Sequence, residues 1–263
     1  MILTILIFAA GAFYGASALA GARTADARGS LRFAAAGFAA QTLALAWYGF
    51  AARNLPTVTA YGLLETIVWL FALIHIALSL ATRRRFTGTF SMLPACVLSL
   101  LPLGCPMFSG SAEGAAGVGF SAAVGLHAVF AAVAYAFIAV SACCGAIYLK
   151  LEKSLKDRTA ALGACPPLET LGRFGAMCAG SAFFATVLAV AAGAAAAETF
   201  AMGSPAGYAK IAAGAVLLGV LFAVFAANAL FKVGGAAFAR LEILSGIIAL
   251  LAIVPVELFN LTK

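Results

Sequence analysis

Few side chains in this sequence could do chemistry, and they stand far apart. His127 lies two residues into the apolar stretch GLHAVFAAVAYAFIAV (125–140) and is one of only 2 histidines in 263 residues. An imidazole at such a place supports two readings. It is either a neutral interfacial ring bonded to water or a carbonyl, or an axial ligand for a metal ion or a haem iron. Tyr135 follows eight residues on, about two turns down the same helical face. Glu65 sits inside YGLLETIVWLF, where a carboxylate needs either a partner or a proton. His75 lies deeper in the same run and reads as a neutral imidazole hydrogen-bonded to a neighbouring helix. Glu198, Tyr208, Lys210 and Glu257 fall near the ends of apolar runs, where interfacial solvation accounts for them.

The cysteines offer less. Cys96, Cys105, Cys143, Cys144, Cys165 and Cys178 show no metal-type spacing, and most lie in apolar runs where cysteine behaves as a small hydrophobe. The adjacent pair Cys143 and Cys144 points to two helix faces, which disfavours a shared metal. The sequence holds no Walker loop, dinucleotide fingerprint, His–Glu zinc helix or serine nucleophile elbow.

The elements that must position these residues follow from composition. Apolar residues make up 65% of the chain and charged residues 10%, with a mean hydropathy of +1.10. A water-soluble domain of this size could not hide so much apolar surface, so lipid is the expected solvent. Eight runs approach the roughly 20 residues that span a bilayer: 2–21, 33–51, 59–81, 88–106, 121–149, 172–196, 206–231 and 238–260. The expected architecture is all-α, a single transmembrane domain over 1–263 with about eight helices. The N-terminal run lacks a basic leader and is long enough to span, so it reads as a retained helix.

The pI near 9.3 does not point to nucleic acid, because the basic residues sort by side. With eight helices, thirteen of the 16 Lys and Arg fall on one side, in the first, third, fifth and seventh connections or, as Arg173 and Arg240, at the adjoining ends of the runs; they include Arg83–Arg85 and Lys150–Arg158. That bias places both termini outside the cytoplasm. The connection 150–171 is charged and broken by Pro166 and Pro167. Small-residue runs such as GAFYG (11–15) and AVAAGAAAA (189–197) allow close helix packing, or leave room for a bulky flat ligand.

Three segments together resemble a known family: NLPTVTAYGLLETIVWLFAL (54–73), GLHAVFAAVAYAFIAVSACCGAIYLKLEKSLK (125–156) and PPLETLGRFGAMCAGSAFFATVLAVAAG (166–193). They are similar to the cytochrome c assembly proteins, haem-handling membrane proteins of the CcsA and HemX-like type. The resemblance implies an inner-membrane protein of bacterial type that binds or passes haem on its outer side. It would act by coordination and positioning, not covalent catalysis. By the same resemblance His127 is an external haem ligand and Glu65 the acidic residue of the corresponding helix. Lys210 and Glu65 are then the groups for haem propionates or ligand orientation, and Tyr135 lines the same face. The haem-delivering branch carries a tryptophan-rich external segment with a further histidine after the sixth helix. Here that region, AAAAETFAMGSPAGYAK (194–210), has neither residue. The resemblance is therefore to the tryptophan-free branch, whose members are associated with haem biosynthesis. Two other readings remain: a non-catalytic membrane partner or regulator working through 150–171, and a small-solute transporter, against which no internal repeat is visible.

Overall fold

The computed structural model describes residues 2–23, 27–82, 88–104, 122–157, 166–196 and 205–261. Among the described residues the structure is all-helical, with eight α-helices and no strand. They are α1 (Ile2–Arg23), α2 (Ala27–Ala52), α3 (Ala60–Thr82), α4 (Gly88–Gly104), α5 (Ala122–Lys156), α6 (Leu168–Ala195), α7 (Pro205–Ala229) and α8 (Gly235–Leu261). Six of them, α1, α3, α5, α6, α7 and α8, are long and apolar enough to cross a membrane. The two other expected spans fall short for identifiable reasons. Gln41, Thr42, Trp47 and Tyr48 dilute α2, and α4 has 17 residues with Pro94 and Pro102 inside it. Large apolar side chains such as Phe8, Leu43, Phe184 and Leu251 are exposed along the helices, which suits contact with lipid.

The chain divides into two compact units, residues 1–118 with 154–167, and residues 119–153 with 168–263. In the first unit α1 packs mainly on α2 and α4, and α3 closes the ring against the same two helices. GAFYG does the packing work expected of small residues. A Cβ on Gly11 would collide with the Leu100 side chain of α4. Ile7, Ala44, Tyr48, Ala52 and Tyr61 form a core across α1, α2 and α3. The turn into α3 is set by NLPTVTAYG. Arg53 adopts a left-handed φ of 49° just past α2, and Pro56–Val58 make one 3-10 turn. Thr59 Oγ1 then accepts the Gly62 N–H at 3.1 Å, capping α3.

In the second unit Ile138, Ala182, Leu217, Leu221 and Ala249 bring one buried residue or more from each of α5, α6, α7 and α8 into a single cluster. Phe183 stacks on Phe225 of α7 at 5.1 Å. The expected fifth run ended at 149, but α5 continues to Lys156. Lys and Glu are good helix formers, and Glu152 and Lys156 stand at the favourable i, i+4 spacing. At 35 residues α5 is about 52 Å long, well beyond a hydrocarbon core. Helix α6 starts at Leu168, four residues before the expected run. Pro167 precedes it, and Glu169 in the first turn complements the helix dipole.

Candidate functional site

In the second unit the start of α5 lies against the end of α6. His127 Nδ1 is 2.8 Å from the Ala189 carbonyl oxygen, one helix away. A carbonyl only accepts, so Nδ1 carries the proton and donates. In a neutral ring, Nε2 is then the nitrogen with the lone pair. The contact depends on Gly193: a Cβ there would come within 2.8 Å of Nδ1. The small-residue run 189–197 thus makes room, at this position, for an imidazole. Tyr135 is half-buried and packs against the Ile138–Leu217 cluster.

Glu65 belongs to the first unit, where it is 1% exposed, and it anchors a chain of buried polar groups that begins on α1. The Tyr14 hydroxyl donates to Gln41 Oε1 at 2.7 Å. Gln41 Nε2 in turn donates to Glu65 Oε2 at 2.7 Å and to the Glu65 backbone carbonyl at 3.1 Å. Each amide group of Gln41 is thereby used, and α1, α2 and α3 are tied through one side chain. Glu65 Oε1 has no hydrogen-bond partner among the described residues. His75, ten residues further along α3, is buried, with Ser79 Oγ 3.5 Å from Nε2.

A second buried carboxyl, Glu242 on α8, did not figure among the expected site residues. It is 2% exposed, and Ser141 Oγ of α5 lies 3.0 Å from its Oε1. The same hydroxyl is 3.1 Å from the Gly175 carbonyl of α6, so its one proton serves two acceptors. Gly175 and Gly145 leave the space this carboxyl fills: a Cβ on Gly175 would run into Oε1. Tyr14, Gln41 and Ser141 were missed as well. The available signal was a lone polar side chain within an apolar helix, which marks Gln41 as clearly as it marked Glu65.

The other expected residues contribute less geometry. Lys210 lies in the first turns of α7 and Glu257 in α8, but their side chains fall outside the described residues, as does all of Glu198. Tyr208 is 63% exposed on the first turn of α7. Cys96, Cys143, Cys144 and Cys178 are free thiols, while Cys105 and Cys165 lie outside the described residues. Among the described residues no three His, Cys, Asp or Glu side chains cluster as a metal site would require. Comparison of the chain with known protein families, with characterised proteins and with solved structures gives no match.

Proposed function

We propose that this chain is a haem-handling membrane protein of the cytochrome c assembly type, binding or passing haem as cargo at the outer face of a bacterial inner membrane. The observation that supports it is the tautomer of His127. Imidazoles that ligate iron use one ring nitrogen while the other donates to a carbonyl or carboxylate, which fixes the ring and raises its basicity. The Ala189 carbonyl gives His127 that second contact. In this reading Nε2 ligates the iron and Lys210 meets a propionate. The donor set fits one axial bond, and a single imidazole suits cargo that is to be handed on.

The orientation belongs to the same proposal. With α2 and α4 counted as spans there are eight, and thirteen of the 16 basic residues then fall on the cytoplasmic side. The start of α5, with His127, is external. A second reading, a membrane partner or regulator working through 150–171, is favoured by the length of α5. Its basic last turns, with Lys150, Lys153 and Lys156, extend the helix past its apolar part.

The deciding experiment is an absorption spectrum, oxidised and reduced, of the full chain purified after haem supplementation. Wild type should show a Soret band that falls to the level of a control membrane protein in His127→Ala. Equal haem in the two proteins would remove His127 as the ligand. No haem in either would favour the partner reading.

A further inference from the structure

At the end of the second unit away from His127 lies a cavity of about 810 Å³, within the size range of small-molecule sites. Its rim is the α7–α8 turn, where Lys232 and Gly235 take positive φ values of 52° and 64°, together with the first turns of α6. Phe174 and Phe238 supply aromatic wall, and Glu242 lines the interior.

The charged groups around this space differ in burial. Glu169 and Arg173, four residues apart on α6, and Lys232 in the α7–α8 turn are exposed at the rim, where water solvates them. Glu242 is the buried one, 2% exposed and set in an apolar helix. Its described donor is Ser141, whose single proton is shared with the Gly175 carbonyl. A carboxyl so placed is costly to keep ionised unless a counter-charge meets it. The glycines at 145 and 175 leave room for the carboxyl itself against α5 and α6. We propose that this cavity binds a lipophilic organic cation, with Glu242 as its counter-charge and the aromatic wall as its apolar seat. Aromatic faces favour cations over anions, which adds to the same selectivity.

Two ions of one shape and opposite charge test this: tetraphenylphosphonium and tetraphenylborate, in equilibrium dialysis against the full chain in detergent. Phosphonium should bind saturably and borate should not. Glu242→Gln keeps the size and the Ser141 contact, and should weaken phosphonium binding by about tenfold or more. Glu169→Gln, at the solvated rim, should change it by no more than about twofold. Equal phosphonium binding by wild type and Glu242→Gln, or equal binding of the two ions by wild type, would overturn the proposal. A measurement on wild type alone covers the case in which the variant does not fold. Saturating phosphonium should protect Glu242, and not Glu65, from labelling by a hydrophobic carbodiimide read by mass spectrometry. Unchanged labelling of Glu242 would be as decisive against it.

Discussion

Glu65 and Glu242 are both carboxyls buried among apolar helices, and the two units accommodate them by opposite means. In the first unit the carboxyl is held by a donor dedicated to it. Gln41 spends its amide on Glu65, and Tyr14 closes the far end of the chain. In the second unit the carboxyl is given space. Gly175 and Gly145 stand back, Ser141 divides one proton between two acceptors, and a cavity opens alongside. A network that runs through three helices ties them together even with Glu65 Oε1 left without a described partner, whereas a carboxyl that shares one donor beside a cavity is arranged to meet something else. The difference separates a structural use of a buried acid from a binding use.

The largest effect should come from breaking the network. Gln41→Leu leaves the buried Tyr14 hydroxyl and Glu65 Oε2 without the partners they now have. Each stranded group costs on the order of 1–3 kcal/mol, so a loss of about 3 kcal/mol is expected. Thermal unfolding in detergent should show it as a clear fall in Tm. A Gln41→Leu protein as stable as wild type would mean that the Tyr14–Gln41–Glu65 chain does not hold the first unit together.

A smaller loss should follow from filling the space in the second unit. Gly175→Ala drives a methyl into Glu242 Oε1 and should cost about 2 kcal/mol, the usual range for an overpacked site. Gly214→Ala on α7 is the control, because a Cβ there meets nothing within 4 Å. It should gain about 0.5 kcal/mol from helix propensity alone. Equal responses from the two glycines would show that Gly175 is not reserved for the carboxyl, and the contrast between the units would weaken.

Much of the fold was legible in the sequence because apolar length is a strong signal. All eight helices fall on the expected runs; the ends that moved most are the end of α5, the start of α2, six residues early at Ala27, and the start of α6. The charged tail of α5 extended as a good helix former, and Pro167 with Glu169 pulled the start of α6 forward. Glu65 was legible because it interrupts a long apolar stretch. Glu242 was not, although it does the same. It stands two residues from Arg240 and near the start of its run, where a charge looks interfacial. Only the convergence of Ser141, Gly145 and Gly175 from two other helices shows it to be buried. Such partners lie up to 101 residues away in sequence, and no spacing rule reaches them.

The smallest effect is the one that separates the two acids most finely. Glu65→Gln keeps the size and keeps an oxygen to accept from Gln41 Nε2. It exchanges Oε1, which has no described partner, for an amide nitrogen in the same place. One unsatisfied group replaces another, so stability should shift by only about 0.5 kcal/mol in either direction. Phosphonium binding should not change, because the cavity belongs to the other unit. Glu242→Gln should likewise barely alter Tm, yet it should lose the cation. Measured side by side, the two isosteric substitutions hold stability nearly constant and let binding alone differ. If Glu65→Gln instead lowers stability by more than about 2 kcal/mol, its negative charge matters to the first unit. The Gln41 chain would then be the frame around a functional carboxylate, and the first unit would join the second as a binding site.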